Sequence, residues 1–297
     1  MSFASEVREE LCQSVPDKRC CRTAECYGIL LYCNTFTKRE IRIVTENRSF
    51  AEHLPRLFRK TFGVEFDRDA DLDQPGKHIF EIQSPEKLER IFTAFGQEHE
   101  TMALHVNFGV LEEACCRQSF FRGAFLAGGS VTDPDKRYHL ELVTSHLKVS
   151  DEARSLLQEL GFEPKDTHRA GSNVLYLKQS DAIVDFLTMI GSPLQAMKII
   201  QAKMEKSVRN EVNRRVNCDT ANLTKAVDAA QEQLSAIRRL REQGRFADLP
   251  EKLRQAALLR EEHPEATLSE LAAMALPPIS KPAMSHRLRS IIEKSRQ

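Results

Sequence analysis

The stretch FFRGAFLAGGSVTDP, Phe120 to Pro134, decides the fold of this 297-residue chain. An apolar run with helical spacing stops at Gly128-Gly129 and passes into a strand-like segment. Gly123 and Ala127 lie four residues apart, as do Ala124 and Gly128, so small residues share one helix face. Such a face lets a second helix approach backbone to backbone. The two glycines are expected to end the helix and to permit positive φ. No carboxylate follows them until Asp133.

The same unit occurs earlier in the chain. Residues 27–66 and 122–164 both begin with an apolar helix-like run. Both continue into an alternating strand, IRIVT at 41–45 and LELVT at 140–144, and then an amphipathic helix closed by Gly63 or Gly161. The next strands correspond too, HIFEI at 78–82 and VLYLK at 174–178. Helices at 84–96 and 179–191 follow, with Ser84 and Ser180 as expected N-caps. Ala24 and Gly28 repeat the small-residue spacing of the second copy. Alternating strands need one covered face, which the helices supply. The expectation is an α+β tandem-repeat domain over 1–205, with repeats at about 22–100 and 115–195. Its equivalent first helices meet on a pseudo-two-fold axis.

The pattern changes near Pro193. Residues 194–242 contain no Gly or Pro and are rich in Ala, Gln, Lys and Arg. They predict long polar helix, with 206–245 as a helical linker. EQGRFADLP at 242–250 reads as a break. Residues 246–297 then read as an all-α unit of three short helices, 251–264, 267–275 and 281–295. Thr267 with Glu270 fits a capping box, and LPPIS separates the last two helices. Short helix, tight turn and basic final helix is the helix-turn-helix order.

The chain carries 43 basic and 43 acidic residues, which excludes a wholly basic nucleic-acid coat. The balance is uneven, because residues 205–297 hold 17 Lys/Arg against 13 Asp/Glu. No run is long and apolar enough to span a bilayer, so a soluble cytoplasmic protein without membrane contact is expected. The eight cysteines include no CxxC pair. Cys20, Cys21, Cys26 and Cys33 have the wrong spacing for a zinc knuckle, so reduced, mostly buried thiols and no metal are expected.

The segment 120–134, and more faintly 24–36, resembles the LAGLIDADG motif of homing endonucleases. RNEVNRRVNCDTANLTK at 209–225, and PPIS followed by HRLR near the end, resemble signatures of the WhiA family. The resemblance covers essentially the whole chain. It implies a two-repeat LAGLIDADG-like domain, a degenerate homing endonuclease fold, joined by a helical linker to a helix-turn-helix DNA-binding domain. It also implies a bacterial regulator linked to sporulation or cell division. One departure is Pro282-Ala283 after the first basic residue, where relatives commonly carry a small, flexible pair. A proline there is tolerated, because a first-turn N–H has no intrahelical partner.

In LAGLIDADG nucleases each motif helix ends in an acid that holds a divalent cation. Alignment on the glycines puts Gly128 and Cys33 at those degenerate positions, and neither ligates Mg²⁺. No catalytic residue, metal or cofactor is therefore expected. The function expected is non-enzymatic binding of double-stranded DNA in cell division and chromosome segregation, with transcription regulation as the route. Nucleoid association and protein partners in transcription or division go with it. A division-machinery interaction factor with secondary DNA binding is the alternative, and a metal-dependent endonuclease stands last.

Expected DNA contacts are Ser269, Ser280, Lys281, Ser285, His286, Arg287, Arg289 and Lys294. Met284, Leu288, Ile291 and Ile292 follow helical spacing on the core side. Arg209, Asn213, Arg214, Asn217, Asn222 and Lys225 either touch DNA, dock the two domains, or form a polar helix bonded to itself. Arg42, Arg122, Arg137, His146 and Lys148 line a local patch on the first domain or are ordinary solvated surface.

Overall fold

The computed structural model describes residues 2–73, 76–96 and 104–296. The chain divides into two compact units, Met1–Lys206 and Ser207–Gln297.

In the first unit, helix α1 (Phe3–Leu11) precedes two copies of one motif. The first copy runs α2 (Arg19–Tyr32), β1 (Thr35–Phe36), β2 (Ile41–Thr45), α3 (Arg48–Phe62), β3 (His78–Ile82) and α4 (Pro85–Ala94). The second runs α5 (Ala114–Gly128), β4 (Gly129–Val131), β5 (Leu140–Thr144), α6 (Leu147–Glu159), β6 (Lys165–Arg169), β7 (Ser172–Leu177) and α7 (Ser180–Ile190). The expected repeat is therefore present, with β6 of the second copy having no strand counterpart among the described residues of the first; its stretch 97–100 lies outside the described residues. Helix α1 gave no repeat signal and the sequence reading missed it. Its Phe3, Ala4, Val7 and Leu11 are buried.

Each repeat forms one antiparallel sheet, β1-β2-β3 and β4-β5-β7-β6. The two-residue side-chain period decides what each face shows. Ile41 pairs with Ile82 and Ile43 with Phe80, all facing the core, whereas Arg42 pairs with Glu81 on the other face. The second sheet repeats this with Leu140–Leu177 and Leu142–Leu175 inward and Glu141–Tyr176 outward. One continuous core fills the unit, with Phe50, Phe58, Phe80, Phe95, Phe120, Phe121 and Phe186 fully buried.

The axial helices α2 and α5 pack as closely as the small residues predict. A Cβ added at Gly28 would lie 2.1 Å from the Phe120 carbonyl oxygen, and one at Gly123 would lie 2.0 Å from that of Glu25. The clash is with backbone on both sides, so neither helix can yield by changing a rotamer. Gly128 and Gly129 act through space as well, not through positive φ as expected. Gly129 caps α5 in an extended conformation, φ −86°, and a Cβ on Gly128 would meet the Val143 carbonyl oxygen at 2.4 Å. Two expected caps also differ. Gln179, not Ser180, is the N-cap of α7, and Ser84 caps α4 by position but makes no side-chain cap bond.

Helix α8 (Pro193–Glu242) is a single 50-residue helix. In the second unit, α9 (Glu251–Glu262), α10 (Leu268–Met274) and α11 (Lys281–Ser295) surround a small core. Ala236, Ile237 and Leu240 from the end of α8 enter that core with Ala256, Leu271, Met284, Leu288 and Ile291. The Thr267–Glu270 capping box is formed in both directions.

Candidate nucleic-acid interface

Cys33 and Gly128, expected from sequence to stand where nucleases carry their acids, lie at the C-terminal ends of the axial helices. Cys33 caps α2, and its thiol donates toward the carbonyl oxygens of Leu30 at 3.1 Å and Thr35 at 3.2 Å. Burial pushes this thiol up to about 12, so it is neutral at physiological pH. At the end of α5, Arg8 donates to the carbonyls of Leu126, at 3.1 Å, and Gly129. Thr144 donates to the Leu31 carbonyl of α2 at 2.9 Å. Side chains thus occupy the carbonyl ends of both helices, and the cation present is a guanidinium. A cation at a helix C-terminus is favourable, and this one is also delivered by α1. The same helix carries Glu10, which accepts from the Leu194 and Gln195 amides at 2.8 and 3.1 Å and from Ser192 Oγ, so it caps the start of α8.

The neighbouring cleft, about 510 Å³, is lined by Arg8, Asn34, Thr45, Glu46, Asn47 and Lys77 among others. Glu46 is its only carboxylate among the described residues. Phosphodiester hydrolysis by hard cations needs several oxygen ligands, and two bases around one acid do not provide them.

On the solvent faces of the two sheets the arginines are engaged by carboxylates. Glu81 pairs with Arg42 at 3.2 Å and Arg68 at 3.6 Å. In the second sheet Glu141 pairs with His139 at 3.4 Å and Arg169 at 3.6 Å. The local basic patch weighed from sequence does not assemble. Arg42 is ion-paired, and Arg122 turns inward to Glu25, 3.5 Å away. Half-buried His146 is held below its usual value by desolvation and is neutral at neutral pH. Glu25 is fully buried between Arg122 and His53, whose Nε2 lies 2.9 Å from Glu25 Oε1. This charged cluster beside the axial seam was not legible in sequence, because its three members are far apart in the chain.

Helix α11 differs. Met284, Leu288 and Ile291 turn to the core, as the spacing predicts. Ser280 caps the helix by accepting from the Ala283 amide at 3.4 Å, and Pro282 sits in the first turn without disturbing it. Ser269, Ser280, Lys281, His286, Arg289 and Lys294 are exposed, and Ser285 and Arg287 are half-buried. Lys281, Ser285 and Arg289 follow at intervals of four along one face. Arg287 and Lys294 lie seven apart on the opposite flank. Among the described residues Arg296, paired with Glu232 at 2.7 Å, is the one ion-paired base of this segment. Lys281, Arg287, Arg289 and Lys294 have no acidic partner among the described residues. The sequence reading missed Arg260, buried on α9. It donates to Gln233 at 2.9 Å and to the carbonyls of Pro264 and Ala266 at 3.2 and 2.7 Å, tying α8, α9 and the turn together.

On α8, Arg209, Asn213, Arg214, Asn217, Asn222 and Lys225 are all exposed. Their recorded bonds stay on their own helix, Arg214 to the Asn210 carbonyl at 3.3 Å and Asn222 to Cys218 at 3.7 Å. Val208, Val212, Val216, Leu223 and Val227 are exposed beside them.

A LAGLIDADG-type scaffold without its acids, followed by a helix-turn-helix, is a recognisable class of protein. The profile of the WhiA LAGLIDADG-like domain matches residues 117–209, and that of the WhiA C-terminal HTH domain matches 212–294. The chain is 36% identical to the "Probable cell division protein WhiA" of Alkaliphilus oremlandii, over 99% of this chain and 96% of the relative. It is 35% identical to that of Ruminiclostridium cellulolyticum, over 99% and 96%. The chain belongs to the WhiA family. The crystal structure of full-length DUF199/WhiA from Thermatoga maritima has the same fold, with a TM-score of 0.62, 23% identity, and 100% of this chain and 98% of that one covered. Among the described residues no helix is long and apolar enough to cross a membrane.

Proposed function

We propose that this chain is a non-enzymatic regulator of cell division that acts by binding double-stranded DNA through α11 and the turn before it. The observation that carries the reading is the set of bases on α11 that have no acidic partner among the described residues, set on a capped helix with a fixed apolar side. Lys281 and Arg289 reach phosphates or guanine edges from one face, with Ser285 between them, and Arg287 and Lys294 hold the backbone from the other. His286 and the exposed Ser269 and Ser280 hydroxyls add contacts to the same strand region. Transcription regulation and chromosome segregation are the routes proposed, with the protein at the nucleoid. Deleting 246–297 should abolish binding to duplex DNA by the chain, measured by fluorescence anisotropy. Undiminished affinity in that truncation would end the reading.

The ends of α2 and α5 support the absence of nuclease activity. Plasmid incubated with the chain and Mg²⁺ or Mn²⁺ should stay supercoiled, and specific nicking would overturn the non-enzymatic assignment. A second reading, protein interaction at the division machinery, is favoured by the exposed stripe from Val208 to Val227. The polar residues Arg209 to Lys225 flank that stripe and either contact DNA or border the protein contact.

A further inference from the structure

The N-terminal ends of the axial helices carry chemistry that neither DNA binding nor the scaffold uses. Helix α2 opens with Arg19-Cys20-Cys21-Arg22 and α5 with Ala114-Cys115-Cys116-Arg117. The offset that relates Gly28 to Gly123 also relates these two Cys-Cys-Arg triplets. Because the glycines let the helices touch, the pseudo-two-fold brings the triplets together. The Sγ atoms of Cys20, Cys115 and Cys116 all lie within 4.8 Å of one another. Cys21 Sγ is 4.0 Å from Cys20 Sγ and 3.8 Å from the Cys115 carbonyl oxygen.

We propose that these cysteines form a thiolate site for a zinc-class divalent cation, with Cys20, Cys115 and Cys116 as ligands and Cys21 positioned for the fourth place. Zinc–sulfur bonds of about 2.3 Å in a tetrahedron put the sulfurs about 3.8 Å apart. The sulfurs of Cys20, Cys115 and Cys116, all within 4.8 Å of one another, stand close to that spacing, and Cys21 Sγ is 4.0 Å from the first of them. Neither helix has a side-chain cap bond at its N-terminus, so no side chain competes with the cysteines for the positive end of either helix dipole. Arg22 donates to the carbonyls of Pro16 and Asp17, and Arg117 to that of Leu111, so each triplet anchors the loop leading into its own helix. Cys20 is exposed and Cys116 buried, which gives the ion a way in from solvent and a floor. A bound ion would lock the two repeats together at the end of the seam opposite Cys33 and Gly128. Zinc here is structural, with no open position required for chemistry, and the site stands independently of the DNA-binding reading.

The test uses the full chain with Cys218→Ser, which removes an exposed thiol from α8. The protein is reduced, stripped with chelator and titrated with Co²⁺. The expected result is one equivalent bound, with thiolate-to-cobalt charge-transfer bands and the intense ligand-field bands of four-coordinate cobalt, both displaced by Zn²⁺. Cys20→Ser with Cys115→Ser should abolish the charge-transfer bands while circular dichroism stays unchanged. Cys20→Ala alone, at an exposed position, should weaken binding at least about tenfold and serves if the double variant misfolds. Absent charge-transfer bands, identical bands in the variants, or an intrachain disulfide among these cysteines in place of the ion would each overturn the proposal.

Discussion

The sheets of the first unit and helix α11 of the second both present arginines to solvent, and they use them in opposite ways. On the sheets, Glu81 pairs with Arg42 and Arg68, and Glu141 with Arg169 and His139, so these arginines are already engaged. On α11, Lys281, Arg287, Arg289 and Lys294 have no acidic partner among the described residues. Equal numbers of charges over the whole chain thus conceal a spent surface and an available one. Counting bases does not locate a nucleic-acid site, whereas asking which bases lack partners does.

The contrast can be broken most severely at the seam. Glu25→Ala leaves His53 fully buried, and Arg122 half-buried, without their carboxylate. Breaking a buried pair in this way costs about 3–5 kcal/mol. Urea unfolding should show that loss, and DNA affinity of the folded fraction should not change. A cost below about 1 kcal/mol would mean that the cluster relaxes to solvent.

Arg287→Ala with Arg289→Ala should act the other way, leaving stability near that of the parent and weakening duplex binding by about 1–3 kcal/mol per residue. If both residues contact phosphate, the plot of log affinity against log salt flattens by about 2. An unchanged salt slope together with unchanged affinity would remove α11 from the interface. Arg42→Ala with Arg169→Ala tests the sheets and should change duplex binding by less than about 0.5 kcal/mol, because both guanidiniums are already paired. A loss comparable with that of the α11 variant would show that the sheets also lie along DNA. The smallest effect is expected from Thr267→Ala, which removes half of the capping box of α10 and should lower thermal stability by about 1 kcal/mol.

Much of this was readable from local pattern. Strand alternation at 41–45 and 140–144, the capping box, and the four-residue spacing of Ala24–Gly28 and Ala124–Gly128 each act over a few residues of chain. Their physical cause therefore survives in one dimension. The expected end of α11 and its buried face were legible for the same reason. The cap at Ser180 went astray because capping depends on where the backbone first turns helical, which at α7 is one residue earlier, whereas Ser84 holds its expected position without a side-chain bond.

The sequence by itself determined the two repeats, the absence of a carboxylate at Cys33 and Gly128, and a helix-turn-helix with a basic last helix. Only the tertiary structure decided what stands at those helix ends and which charges remain free. Arg8 reaches the end of α5 across more than a hundred residues of chain. Arg122, a surface candidate in sequence, is spent on Glu25. Cys20 meets Cys115 and Cys116 only because Gly28 and Gly123 let two backbones touch. Hydrogen bonds, ion pairs and metal ligation act over a few ångströms in space, and that distance is set by packing rather than by position along the chain.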